Sequence, residues 1–246
     1  MKRLWTKLLL LCVLGAPAGA VTCEKISFEG ADYTVCEVDA RTQQLSLFLR
    51  DDQGEIYGQF SAIDNALNER GQRLSFAMNA GMYHEDRSPV GHYIEDGQEF
   101  MRVIPNAGPG NFGLLPNGVL CLRVGRADVF ETGRYIAEAP ACRHATQSGP
   151  MLVIDGALHP RFLQNGTSRY IRNGVGTSSD GALVVFAISD EPVNFHSFGT
   201  LFRDRLKTPN ALYFDGNISR LYAPDIDRRD FGFALGPIIG VVEPRE

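Results

Sequence analysis

The chain has 246 residues, 44% of them hydrophobic and 22% charged. These proportions suit a globular protein with a sizeable core and exclude a disordered or low-complexity chain. The formal net charge is −5 and no basic stripe is present, which argues against nucleic acid as a partner.

Lys2, Arg3 and Lys7 open the chain, Leu8 to Leu14 is apolar, and Ala18-Gly19-Ala20 is a small-residue exit. That order predicts a secretory signal peptide over residues 1–20, cut after Ala20. The apolar run is too short to span a bilayer, and no other segment reaches about 18 apolar residues. Cys12 lies inside that run, behind a series of leucines, and makes a poor lipidation site. The expected mature chain, residues 21–246, is one domain, periplasmic or secreted, without stable membrane insertion. It carries 21 Lys and Arg against 29 Asp and Glu, so an anionic substrate would need a local positive pocket.

Short apolar or alternating runs dominate the mature chain. Leu45–Leu49, Leu74–Met78, Gly91–Glu95, Phe100–Ile104, Asn111–Leu115, Val119–Val124, Met151–Ile154, Leu183–Ile188 and Ala211–Phe214 all read as strands. Asp96, Asn117, Asp155, Asn165, Asn173, Asp180 and Asp215 each precede a glycine, which predicts many tight turns and mostly antiparallel pairing. Two segments read as helices. Ser61 to Arg70 has a Ser cap, Ile63 and Leu67 four apart, and Gly71 as its stop. Val193 to Leu206 spaces Phe195, Phe198, Phe202 and Leu206 helically behind an Asn194 cap, a stripe that reads as core. Few helices among many strands give the α+β class.

Cys23, Cys36, Cys121 and Cys142 remain after the leader. An even count in an exported chain points to disulfides. A turn centred on Glu29 and Gly30 would set Cys23 opposite Cys36, close enough to bridge. That leaves Cys121 for Cys142. Metal binding is the weaker reading, because there is no C-x-x-C and no adjacent His pair.

No G-x-S-x-G, H-E-x-x-H or Walker loop is present, and no glycine-rich piece leads into a crossover helix. Polar turns fastened to apolar strands are what remain. In M-N-A-G-M-Y-H, Asn79 and His84 flank a bend at Gly81 and either face a site or end a strand in solvent. In S-G-P-M-L, Ser148 and Gly149 either form an oxyanion nest or only enter a strand. Arg172 sits beside Ile171 in an apolar arm. A buried arginine needs an anion, which is either an internal Asp or a substrate phosphate. Asp180 and Asp215 each open a turn, and either they only turn the chain or they are the two carboxylates of glycosyl or phosphoryl chemistry.

The motifs N-A-G-M-Y, P-V-G-H-Y-I, N-F-G-L-L-P-N-G, S-G-P-M-L-V-I-D-G, R-N-G-V-G and A-L-Y-F-D-G-N-I-S follow one another in this order. Together they resemble the phosphodiester glycosidase family, from about Arg73 to Val242. That family includes the catalytic domain of the mannose 6-phosphate uncovering enzyme and many exported bacterial proteins. The resemblance implies a hydrolase that cleaves the glycosidic bond of a sugar-1-phosphodiester, with α-linked N-acetylglucosamine as one candidate sugar. It implies Asp215 and Asp180 as catalytic carboxylates. Arg172, Asn79, Ser148, Gly149, Gly216 and His84 would then hold the substrate, with Arg172 on the phosphate. No cofactor is implied; a divalent cation such as calcium would find carboxylates, but no ligand cluster demands one. Asn217 stands where many relatives carry a second glycine, so either a different substrate or a narrower pocket is expected. The alternative is an exported module that binds a glycan or phosphoglycan without cutting it, and the blandest reading is a disulfide-stapled structural domain.

Overall fold

The computed structural model describes residues 19–245, so nearly all of the expected signal peptide lies outside the described residues. The strands form three antiparallel sheets. The first, in spatial order, holds Thr22–Phe28, Ala31–Asp39, Leu183–Ser189, Asn173–Thr177, Asn210–Asp215, Met151–Ile154 and Ala157–Leu158. The second holds Arg228–Arg229, Leu221–Ala223, Gln72–Asn79, Ile238–Pro244 and Gln44–Phe48. The third holds Gln98–Met101, Tyr93–Glu95, His144–Ser148, Gly118–Arg123 and Arg126–Glu131.

The central core lies where the three sheets meet. Val38, Val184, Phe186 and Ile188 come from the first sheet, Phe76, Met78 and Ile239 from the second, and Tyr93, Leu120 and Val129 from the third. The opposite face of the first sheet is covered by helix Phe195–Thr200 and its π-helical continuation Leu201–Arg205, through Phe198, Leu201 and Phe202. The opposite face of the second is covered by helix Phe60–Asn68, through Phe60, Ile63 and Leu67. Strands buried on both faces explain why Leu183–Ser189 and Asn210–Asp215 are apolar without alternation. The α+β class therefore stands.

Both cysteine pairs form as expected. Cys23 and Cys36 are in register across the first hairpin, with Cα atoms 4.1 Å apart. Cys121 and Cys142 lie 5.4 Å apart at Cα. Glu29 and Gly30 both adopt positive φ, as the turn between the first pair requires.

Several local expectations shift. Helix Phe60–Asn68 takes Gln59 as its cap, with no side-chain bond, and Ser61 lies inside it. Burying Phe60 draws the cap two residues earlier than the Ser signal indicates, from Ser61 to Gln59. Asn111–Leu115 is a folded loop, not a strand. The Leu114 amide donates to the Asn111 carbonyl, and Gly113 packs directly on Gly108. Helix Thr132–Glu138, capped by the Glu131 carboxylate, carries no sequence signal of comparable strength. Asn173-Gly174 is not a turn but the start of a central strand, where a Cβ on Gly174 would come within 2.6 Å of the Leu212 carbonyl.

Candidate active site

Asp215 ends a central strand of the first sheet. Its neighbour runs antiparallel, with Gly174 opposite Tyr213 and Asn173 opposite Asp215, so Phe214 is an extra, bulged residue. A bulge bends a strand and re-aims the side chain beyond it. The bulged carbonyl is not left unpaired, because the buried Ser148 hydroxyl donates to Phe214 O at 2.9 Å.

Beyond the bulge the chain turns over the Asp215 carboxylate. Oδ1 accepts from the amides of Gly216 at 2.6 Å and Asn217 at 2.9 Å. No hydrogen bond of normal geometry engages Oδ2 among the described residues. Burial pushes this carboxyl above the ordinary aspartate range, against the pull of those amides. A half-buried carboxylate that takes up a proton readily is suited to proton transfer.

Two asparagines hold that turn in place. Asn173 Oδ1 accepts from the Asp215 amide at 3.1 Å, and its Nδ2 donates to Asn79 Oδ1 at 2.9 Å and to the Asn79 carbonyl at 3.0 Å. Asn79 Nδ2 donates to the Ile218 carbonyl at 2.8 Å, and its Oδ1 accepts from the Arg220 amide at 2.9 Å. Ser219 Oγ lies 3.0 Å from both the Ile171 and the Asp215 carbonyls. The two fully buried asparagines thus tie the first sheet to the second and fix residues 215–220 between them.

The turn borders a cavity of about 580 Å³, whose walls include Tyr83, Asn111, Tyr170, Tyr213, Asp215 and Asn217. That volume is in the range of small-molecule sites. Gly216 also lines it and has no space for a side chain: a Cβ there would lie 2.1 Å from the Tyr213 hydroxyl. Gly149 is as tightly placed, with a would-be Cβ 2.6 Å from Asn117 Cβ and 3.1 Å from the Phe112 carbonyl. It therefore supports the loop that brings Asn111 to the cavity wall.

The other sequence-selected residues are placed differently. Arg172 is fully buried and does not line the cavity. Its Nε donates to Val193 O and its Nη2 to Ser168 O, both at 2.9 Å, and its guanidinium stacks 3.6 Å from the Phe195 ring centre. No carboxylate pairs with it among the described residues. Burial lowers its affinity for its proton, and its Nη1 and the Tyr213 hydroxyl are both buried without a hydrogen-bond partner. The anion expected for Arg172 is thus replaced by carbonyls and aromatic faces, and its route to the cavity runs through Tyr213.

Asp180 is not brought to Asp215. Asn173 pairs with Asp215 and Thr177 with Asn210, so the turn after Thr177 lies at the opposite end of the sheet, more than about 13 Å away at the usual strand rise. Asp180 is exposed and accepts from Ser178 Oγ at 2.6 Å and the Ala182 amide at 3.1 Å. The Ser178 hydroxyl holds its carboxyl below the ordinary range. His84 is exposed in the turn after Tyr83, where its amide donates to Ser88 O. Among the described residues no group of three or more His, Cys, Asp or Glu could hold a metal ion.

The sequence reading missed Asn173, Tyr83, Tyr170 and Tyr213 as site residues. Asn173 lies in R-N-G-V-G, where the following glycine gives it a turn signal. The tyrosines lie within two residues of His84, Arg172 and Asp215, and Tyr213 belongs to a run that reads as a buried strand.

The fold and sequence have relatives. Residues 72–236 match the model of the phosphodiester glycosidase family. An uncharacterized protein, YigE, of Escherichia coli (strain K12) is 34% identical over 229 residues, covering 90% of this chain and 85% of that one. Among solved structures, the catalytic domain of zebrafish N-acetylglucosamine-1-phosphodiester alpha-N-acetylglucosaminidase, auto-inhibited by its pro-peptide, superposes with a TM-score of 0.60. It is 14% identical, over 90% of this chain and 81% of that one. A hypothetical protein from Synechocystis gives the same TM-score at 12% identity, over 90% of this chain and 61% of that one. At these identities the structures share the fold, while the family match extends over two thirds of the chain. The chain belongs to the phosphodiester glycosidase family.

Proposed function

We propose that this protein is an exported hydrolase that cleaves the glycosidic bond of a sugar-1-phosphodiester, with Asp215 as its base. The observation that carries the reading is the Asp215 carboxylate itself, held half-buried at a cavity wall by a bulge, two amides and an asparagine clamp. Water delivers its oxygen to the anomeric carbon, and Asp215 takes the water's proton. The bond from that carbon to the phosphate oxygen breaks with its electron pair on the oxygen. The departing phosphomonoester has a second pKa near 6, so it leaves without a strong acid behind it. One carboxylate therefore suffices, and Asp180 has no part in the reaction. Tyr83 and Asn111 at the cavity wall supply hydrogen bonds to the sugar, and Tyr213, whose hydroxyl is buried, backs the wall. The two disulfides support export, because such bonds persist in oxidising compartments.

The test offers a panel of sugar-1-phosphodiesters to the oxidised protein, with and without chelator, and follows free sugar by mass. Sugar released by the wild type and by Asp180→Asn, and lost by about 10²–10⁴-fold in Asp215→Asn, is the expected result. Near-normal release by Asp215→Asn would remove Asp215 from the mechanism.

A further inference from the structure

A second cavity, of about 940 Å³, adjoins the first across the Asp215–Ser219 turn and shares Tyr170, Gly216, Asn217 and Ile218 with it. Its walls include Arg169, Arg220 and Arg229, together with Phe231 and Phe233. Arg220 is only 7% exposed, and its Nη1 has no hydrogen-bond partner. Burial works against its charge and outweighs the support of nearby Asp230, and that carboxylate already accepts from the Leu221 amide at 2.9 Å and pairs with Arg228 at 3.2 Å. No salt bridge reaches Arg220 among the described residues. Gly232 passes so close that a Cβ on it would lie 2.7 Å from Arg220 Nη2, so the backbone is shaped around the guanidinium. A buried cation without a partner is costly, and a phosphate matches its donor fork.

The aromatic part is equally unusual. Phe231 is 91% and Phe233 78% exposed, yet their loop is firmly held. The Asp230 amide donates to Leu221 O at 3.0 Å, Gln59 Nε2 to Gly232 O at 2.8 Å, and the Leu235 amide to Gly58 O at 2.8 Å. A pinned loop that presents two phenylalanines to water beside an arginine has the chemistry of a site for an anion with an apolar tail.

We propose that this cavity receives the leaving group, a phosphomonoester with an apolar chain, its phosphate on Arg220 and its chain over Phe231 and Phe233. The proposal rests on the hydrolase reading and narrows it: the substrates are sugar-1-phosphodiesters with an apolar aglycone. Arg220, not Arg172, is then the phosphate ligand, one turn away from Asp215.

The experiment measures the affinity of methyl phosphate and of hexyl phosphate, below its micelle concentration, by titration calorimetry on the oxidised protein. Hexyl phosphate should bind at least tenfold more tightly than methyl phosphate. Phe231→Ser with Phe233→Ser should erase that difference, and Arg220→Lys should weaken both ligands several-fold. The double serine variant changes exposed residues only, so it tests the site even if Arg220→Lys fails to fold. Equal affinity for the two phosphates, or an unchanged preference in the double variant, would overturn the proposal. So would a wild-type dimer that the double variant disperses and hexyl phosphate leaves intact, because a second copy would then cover the groove. Turnover of a hexyl sugar-1-phosphodiester is read in parallel. Phe-dependent binding without sugar release would remove the hydrolytic reading and keep the alkyl phosphate site; release without Phe-dependent binding would do the reverse.

Discussion

Asn173→Ala isolates the part of the site that holds Asp215 without touching a reactant. The substitution removes the two bonds from Nδ2 to Asn79, at 2.9 and 3.0 Å, and the acceptor of the Asp215 amide at 3.1 Å. Each buried hydrogen bond contributes about 1 kcal/mol net, and an amide left without a partner costs more. The expected loss is therefore about 3 kcal/mol, which in a domain of this size lowers Tm by roughly 6–12 °C. The carboxylate would also lose its register, and a displacement of about 1 Å can cost on the order of 10²-fold in rate. Calorimetric melting and sugar release, measured on one preparation, read the two effects together. Asp215→Asn should show the opposite split, with turnover lost and Tm nearly kept, because an amide oxygen can still accept from Gly216 and Asn217. An Asn173→Ala protein that melts within about 2 °C of wild type and turns over normally would refute the clamp.

Other perturbations probe separate links. Because burial raises the Asp215 carboxyl in the folded state, the folded protein binds more protons than the unfolded chain between the unfolded value, about 3.9, and the higher folded one. Stability contributed by this group is thus present at acid pH and lost as pH rises through that window; the difference in melting between wild type and Asp215→Asn, followed from pH 4 upward, should carry that sign. Gly216→Ala should abolish turnover, since its Cβ would lie 2.1 Å from the Tyr213 hydroxyl, and normal sugar release would show that the turn yields easily. Arg172→Met should cost about 3 kcal/mol, because the buried Val193 carbonyl and the more exposed Ser168 carbonyl both lose their donor and the stacking on Phe195 is lost; an unchanged Tm with lost phosphate binding would return Arg172 to a ligand role.

What was legible in the sequence was local. Cys23 and Cys36 oppose each other because one hairpin turn sets the register of everything beside it. The apolar runs mark strands because burial on one or both faces demands such residues there. The site depended on relations between distant strands. Asp180 and Asp215 carry the same Asp-Gly signal, yet the pairing of Asn173–Thr177 with Asn210–Asp215 sends them to opposite ends of one sheet. Asn173-Gly174 carries the turn signal too, but close packing against Leu212 O overrides it and makes the pair a strand start. Arg172 was legible as a buried cation needing compensation. That carbonyls and the Phe195 ring would supply it depended on where helix Phe195–Thr200 docks. Thr132–Glu138 escaped notice because a seven-residue helix containing Gly133 has little helical pattern of its own.

The central claim is that water attacks the sugar and not the phosphorus. The most direct measurement is turnover of a hexyl sugar-1-phosphodiester in ¹⁸O-labelled water, with the label located by mass spectrometry in both products. Attack at the anomeric carbon places the label in the anomeric hydroxyl of the released sugar and none in hexyl phosphate, with no product from Asp215→Asn. Label in the phosphate, or product formation that ignores Asp215, would contradict it.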